Sequence, residues 1–279
     1  MRINWCAKQN LCFIFQNNMI RVHSTSIVSP KAIVGEGVEI GPFCIVDDDV
    51  VIGDNTRLAN NVLLKNGTRI GKSCYISTGS CLGQEPQDFH FKGEKSFVRI
   101  ADNVTIREYV VIHKATGEGE ETYVGENSYL MCFTHLGHNA KVYENCTLAA
   151  YVVLGGHVVV EREAFLGGAS AFHQFVRVGR MCMVGGLAKV VQDIPPFVMC
   201  DGNPARPKGL NLVALRRNNF SQEKISAIKR IYKILVEEVH SKEELIEILK
   251  RDFSKYEEHK DFVDFIIKSK RGFRRVQDK

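Results

Sequence analysis

GPFCIVDDDVVIGDNTRLANNVLLKNGTRIGKSCYIS, residues 41–77, carries an aliphatic side chain at every sixth position: Val46, Ile52, Leu58, Leu64, Ile70 and Ile76. A helix repeats every 3.6 residues and a strand every two, so neither alone gives this spacing. A hexapeptide period predicts a parallel β-helix, with three hexads to one triangular coil. The same phase extends outward to Val22 and to Val190, and only Asp88, Glu94 and Glu118 break it. Two more columns agree. The residue after the aliphatic is often glycine, as at Gly35, Gly41, Gly53 and Gly71, which predicts corners with unusual backbone angles. The residue two before it is small or β-branched, as at Ala32, Cys44, Thr56, Cys74 and Cys146, and should share the narrow interior.

A chain of 279 residues can bury a large core, and a solenoid does so coil by coil. No run of 18 apolar residues occurs, so no stable membrane insertion is expected. Of the nine cysteines, Cys44, Cys74, Cys146 and Cys182 fall in the small interior slot. No CxxC pair and no Cys/His zinc spacing is present, so no metal is expected and a reducing cytoplasm is the natural home. The net charge of +5 sits in the tail: 17 Lys and Arg oppose 12 Asp and Glu from Arg216 onward. Such a surface suits an acidic partner. Nucleic acid is not expected, because no aromatic-rich basic face accompanies the charge.

Four segments follow. Residues 1–19 form an extension outside the repeat, with weak features of an alternative start or a targeting segment. Residues 20–196 form the β-helix, interrupted near 83–99 and 114–121 and closed by Asp193-Ile194-Pro195-Pro196, since proline cannot continue strand pairing. Residues 197–219 read as an irregular linker. Residues 220–279 read as a small helical domain, with Ser221 as an N-cap, an apolar face of Ile225, Ile228, Tyr232, Leu235 and Val239, and a capping box at Ser241 and Glu244. Phe262, Phe265 and Ile266 mark a third helix.

A β-helix needs no histidine to fold, yet His113, His135, His138, His157 and His173 lie within its coils. Steps of 19 and 16 residues separate His138, His157 and His173, close to one coil of 18. These three are therefore expected near one edge of successive coils, as a cleft with a general base. The segments VVIHKAT (110–116), THLGHNAKV (134–142), LGGHVVV (154–160), SAFHQFVRVG (170–179) and QDIPPF (192–197) resemble those of the UDP-N-acetylglucosamine O-acyltransferase family. QEPQDF (84–89) and the run GNPA, GLN and LRR within 202–217 extend the likeness over nearly the whole chain.

The resemblance implies an all-β solenoid, a left-handed parallel β-helix with a small C-terminal α-helical domain, assembled as a homotrimer. It implies transfer of a 3-hydroxyacyl chain from acyl carrier protein to UDP-N-acetylglucosamine, the first step of lipid A synthesis, with no cofactor. By the same resemblance His138 is the general base and Gly156 the oxyanion donor. Asp88, His90, His113, His135, His157, His173 and Gln174 line the cleft, and Gly186 limits acyl-chain length. Asn211 and Arg217 contact donor and nucleotide, while Arg216, Lys270 and Arg271 meet the carrier. Asn139, His90, Val213 and Asn218 depart from the family pattern, and leave open whether the acceptor atom is a hydroxyl oxygen or a 3-amino nitrogen. Alternative readings are an N-acyltransferase, a trimeric zinc hydratase or a non-catalytic scaffold on the same solenoid.

Overall fold

The computed structural model describes residues 19–273. Short strands wind into three parallel sheets of 11, 9 and 8 strands, a left-handed parallel β-helix. The first sheet starts at Arg21–Val22, the second at Ile27–Val28 and the third at Ile33–Val34. Register partners such as Val46 and Leu64 stand one coil of 18 residues apart. Two coils are longer: Ile76 pairs with Ile106, and Ile106 with Leu130. The additions are twelve and six residues, multiples of the repeat, so the six-step phase passes through both insertions. The hexad-breaking residues Asp88, Glu94 and Glu118 lie in these two loops.

The aliphatic column is the core. Ile52, Leu64, Ile76, Leu82, Ile112, Leu130, Leu136, Leu154 and Leu166 are essentially inaccessible to solvent. Each such side chain contributes about 1.5–3 kcal/mol by burial. Beside it, the small slot does more than fill space. Ser26, Thr56 and Ser80 donate hydroxyl hydrogen bonds to the carbonyls of Gly41, Gly71 and Arg107 on the next coil. Cys44, Cys74, Cys146 and Cys182 point their thiols at Ala59, Ala101, Glu161 and Pro195 carbonyls at 2.9–3.1 Å. All four cysteines are buried, as their slot predicts.

The glycine column has a different cause from the one expected. A Cβ on Gly41 would stand 2.6 Å from the Ala59 carbonyl oxygen, and one on Gly53 2.6 Å from Gly71 backbone. Close stacking of coils excludes the side chain there. The left-handed conformation falls two residues later, on Asn55, Asn61, Asn103, Asn127 and Asn145 among others, a residue type that tolerates it.

The prolines at 195–196 do not end the first sheet. Val198–Asp201 adds one more parallel strand beside Met183–Val184, and Arg206–Leu210 pairs with it antiparallel. Residues 197–219, expected to be irregular, therefore hold a hairpin and a short helix, α1 (Leu212–Arg217). Three longer helices follow: α2 (Gln222–Glu237), α3 (Lys242–Asp252) and α4 (His259–Lys268). Ser221 caps α2, and Ser241 with Glu244 forms the expected capping box on α3. Ile225, Ile228 and Leu235 pack with Leu245, Leu249, Phe262, Phe265 and Ile266. Val239 lies past the end of α2 and is exposed, because the helix stops before it. The expectations for the N-terminal extension up to residue 18, and the basic tail beyond residue 273, lie outside the described residues.

Candidate active site

Both insertions leave the coil after a second-sheet strand and return to a third-sheet strand: Cys81–Gln84 to Phe97–Ile100, and Val111–His113 to Glu121–Val124. They therefore project from one corner. The loops are tied to each other, with Gly117 N–H donating to Glu94 and Lys95 N–H to Glu118. Beneath them, at the same corner, lie His138, Asn139, His157, Gln174 and Phe175.

His138 is nearly buried, its side chain 7% exposed. Its Nδ1 is 2.9 Å from Asn139 Oδ1. The Asn139 amide is clamped at both ends by the backbone of one residue: Oδ1 accepts from Thr116 N–H and Nδ2 donates to the Thr116 carbonyl, each at 3.0 Å. That clamp fixes which end of the amide is oxygen. His138 Nδ1 must then carry its proton, and Nε2 is left with the free lone pair. Asn139 thus orients the His138 ring through a neutral acceptor, without adding a charge.

Nε2 faces Gly156 and Gln174. The Gln174 Nε2 lies 3.4 Å away. A Cβ on Gly156 would come within 2.3 Å of His138 Nε2, so only glycine leaves this space open. The Gly156 N–H makes no hydrogen bond among the described residues. His138 Nε2 and a residue with an unpaired N–H are therefore neighbours.

Asp88 enters from the first loop, its side chain only 16% exposed, with Oδ2 3.8 Å from His138 Nδ1. The His90 backbone N–H and ring Nδ1 both bind Asp88 Oδ1 at 3.0 Å. The His90 backbone N–H, with help from its ring, holds the Asp88 carboxyl down at about 2 against burial. The His90 side chain itself is 91% exposed at the rim. His113 is buried, with Nδ1 donating to the Glu85 carbonyl at 2.6 Å, and its ring lies 5.1 Å from that of His135. Burial, then the neighbouring His113, lowers the His135 pKa.

The expected stack of three histidines is only partly present. The rings of His138 and His157 meet edge-on at 5.2 Å. His157 then stacks on Phe175 at 4.8 Å, not on His173. Phe175 stands one full coil after His157, whereas His173 falls two positions short and its side chain points to solvent. Phe175 and the clamping Thr116 escaped the sequence reading. A strict 18-residue step would have found the first; a peptide-backbone clamp has no sequence signal.

Other expected site residues lie elsewhere. Gly186 occupies the corner between the first and second sheets, across the second-sheet face from His138. Asn211 is buried at the corner between the third and first sheets, where Oδ1 caps α1 and Nδ2 donates to the Met181 carbonyl. Its amide is consumed internally. Arg216 and Arg217 are exposed at the end of α1 and make no ion pair among the described residues. Arg271 donates to the Val191 carbonyl at 2.7 Å and approaches the Gln174 carbonyl at 3.5 Å, so its guanidinium serves the fold. An enclosed polar hollow between coils and α4 is filled by ion pairs, Arg162–Asp261 and Arg180–Glu163 among them, and is remote from His138 in the fold. Among the described residues no three His, Cys, Asp or Glu side chains converge as metal ligands.

A protein from Paraburkholderia phymatum named acyl-[acyl-carrier-protein]–UDP-N-acetylglucosamine O-acyltransferase is 42% identical over 259 residues, which is 91% of this chain and 99% of that one. The chain belongs to the UDP-N-acetylglucosamine O-acyltransferase family. A relative of the same name from Gloeothece citriformis is 42% identical over 154 residues, a match that spans 55% of this chain and only 56% of that protein. The crystal structure of Francisella novicida UDP-N-acetylglucosamine acyltransferase superposes with a TM-score of 0.89 at 35% identity, covering 93% of this chain and 95% of that one. The family model for UDP N-acetylglucosamine O-acyltransferase, domain 2, matches residues 193–274, and the bacterial transferase hexapeptide model matches 31–66.

Proposed function

We propose that this acyltransferase joins a 3-hydroxyacyl group from acyl carrier protein to the 3-hydroxyl of UDP-N-acetylglucosamine at the corner holding His138, the entry step to lipid A. The observation that carries this reading is that His138 Nε2 opens onto Gly156, a residue whose N–H has no hydrogen-bond partner among the described residues. Nε2 takes the proton from the sugar hydroxyl as that oxygen attacks the thioester carbonyl. The Gly156 N–H stabilises the oxyanion that develops. When the intermediate collapses, the C–S bond breaks and the imidazolium returns its proton to the departing carrier thiolate. Asp88, permanently charged above about pH 4, accepts a sugar hydroxyl or amide N–H. His113, His135 and His157 close the remaining sides.

A homotrimer is part of the proposal. Phe43, Tyr109, Phe133, Tyr151 and Leu187 line the corner between the first and second sheets, all exposed. The Tyr109, Phe133 and Tyr151 rings stack at 5.2 and 4.8 Å. Ile27, Ile45 and Val153 continue this surface across the second sheet. A continuous exposed apolar surface of this kind suits association, and Gly186 lies at the same corner, within reach of a neighbouring copy. Arg216 and Arg217 offer unpaired charge to the acidic carrier. Seven free cysteines among the described residues suit a reducing cytoplasm. No helix among the described residues is long and apolar enough to cross a membrane.

The test is a direct transfer assay with 3-hydroxyacyl carrier thioesters and UDP-N-acetylglucosamine, with the product resolved by mass spectrometry. An ester-linked 3-O-acyl product supports the reading. An amide-linked product, or none from a folded trimer, overturns it.

A further inference from the structure

The C-terminal tail returns to the reaction corner. After α4, Ser269–Phe273 is stitched to the last coils through Asp193, which is 3% exposed. Asp193 Oδ2 accepts the Ser269 hydroxyl at 2.7 Å and the Arg271 N–H at 3.2 Å, and Oδ1 accepts the Arg177 N–H at 2.7 Å. The Asp193 N–H donates to the Gly272 carbonyl at 2.7 Å, and Phe273 forms a β-bridge with Asp193. Arg271 closes the anchor on the Val191 carbonyl. A carboxylate this deeply buried and this fully paired holds its partners firmly.

The residue between the anchors is Lys270. Its ammonium lies 5.9 Å from the centre of the Phe175 ring, the ring on which His157 stacks. Lys270 is exposed and makes no ion pair among the described residues. Lys270 was expected to meet the carrier's acidic surface, and its ammonium lies at the corner beside Phe175. We infer that Lys270 is a ligand-binding residue of the cleft, a tethered cation that takes a phosphate oxygen of a substrate bound beside His157 and Phe175. The inference rests on the acyltransferase reading, in which both substrates bring such an oxygen: the phosphodiester of the donor's prosthetic arm and the diphosphate of the acceptor.

The electrostatics of the corner agree. His157 is kept below its ordinary pKa first by burial, then by the charges of His138 and Lys270, against the weaker pull of Asp88 and Glu120. A neutral histidine does not compete with Lys270 for the anion, and a bound phosphate would cancel the Lys270 effect.

The experiment measures binding apart from turnover. Lys270→Gln, Lys270→Arg and the parent protein are titrated with UDP-N-acetylglucosamine, with 4′-phosphopantetheine and with phosphate-free pantetheine. His157 is followed by NMR in each. Lys270→Gln should weaken one phosphate ligand about 10-fold or more, the scale of a charge-assisted contact. Pantetheine binding should not change, and Lys270→Arg should restore most of the loss. Weakened 4′-phosphopantetheine assigns the cation to the donor, and weakened UDP-sugar assigns it to the acceptor. In Lys270→Gln the His157 pKa should rise, and a bound phosphate ligand should raise it in the parent. Equal binding of every ligand to Lys270→Gln and parent would overturn the inference, as would equal losses with and without phosphate. Parent protein that binds these ligands but transfers nothing would sink the acyltransfer reading and leave the Lys270 result intact.

Discussion

Two neighbouring glycines should fail in opposite ways when each is changed to alanine. A Cβ on Gly156 meets His138 Nε2 at 2.3 Å, His138 Cε1 at 2.6 Å and Gln174 Nε2 at 2.9 Å. All three are ends of side chains lining an open corner, so the coil can keep its path while the imidazole is pushed aside. A Cβ on Gly155 meets backbone instead, the Gln174 nitrogen and the Phe172 carbonyl oxygen, each at 3.0 Å. Neither has a rotamer to escape into. Displacing a general base forfeits about 10²–10⁴ in rate, and disturbing an oxyanion donor about 10²–10³. The two act on one step and do not multiply fully, so Gly156→Ala should lower kcat about 10³-fold with a Tm shift within about 2 °C. Gly155→Ala should cost about 1–3 kcal/mol of stability, as overpacking does, and lower Tm by several degrees. The assay is single-turnover transfer from a 3-hydroxyacyl thioester, with thermal unfolding of each variant. Gly156→Ala retaining turnover within a few-fold of the parent would refute the placement of the reacting atoms between His138 and Gly156.

Further outcomes follow from the same geometry. His138→Ala should stay folded and lose at least ~100-fold in kcat; near-normal turnover would remove it as the base. Asn139→Leu unclamps His138 from the Thr116 backbone and should lower kcat by at least ~10-fold with little change in KM, since it touches the base and not the substrate; a pure KM effect would contradict this. Asp88 is held at about 2, so its stabilising contribution is complete above about pH 4 and is lost only as pH falls toward 2. Asp88→Asn, measured as thermal stability against pH, should therefore remove the stability loss between about pH 4 and 2; an unchanged acid profile would contradict the depressed carboxyl. Burial pushes the thiols of Cys74 and Cys146 up to about 11 and 12, so both should resist alkylation in the folded protein; rapid native labelling of the pair would contradict their interior slot. Gly186→Met places a side chain where a Cβ meets only Gly168 backbone, at 3.2 Å or beyond, and should shift donor preference toward shorter chains; an unchanged chain-length profile would move the ruler elsewhere.

The period of six was enough for the coil because both insertions are multiples of six, and the apolar column resumed in phase at Ile100 and at Val124. The same coincidence hid the loops' true register. Counted in six-residue steps they look like defective hexads, and only the pairing of Ile76 with Ile106 shows twelve residues leaving the coil. The handedness of the winding carried no signal in the period and came from the family likeness. The glycine column was visible but misattributed, because a sequence cannot distinguish a glycine required by dihedral angle from one required by a neighbouring coil. Asn211 and Arg271 show another limit. Both were expected to meet a ligand or partner, and in the structure one caps a helix and the other ties down the chain end. A hydrogen-bonding side chain reads the same whether its partner is substrate or backbone.

What the repeat supplies to the chemistry is registration. His138, Gly156 and Gln174 occupy the same hexad position on three successive coils, 18 residues apart at each step. Parallel strand pairing spaces such positions by about 4.8 Å, so the proposed base, the proposed oxyanion donor and the flanking amide are set in a line by the backbone itself. Asn139, His157 and Phe175 form the adjacent column, all with positive φ. That geometry turns their side chains outward at the corner, where asparagine orients the base and the two rings wall the gap. The second loop then supplies the one element a solenoid cannot, the Thr116 backbone that approaches the corner from outside and locks the Asn139 amide. A regular coil gives the spacing between catalytic groups, and an irregular loop fixes which nitrogen of His138 is free to accept a proton.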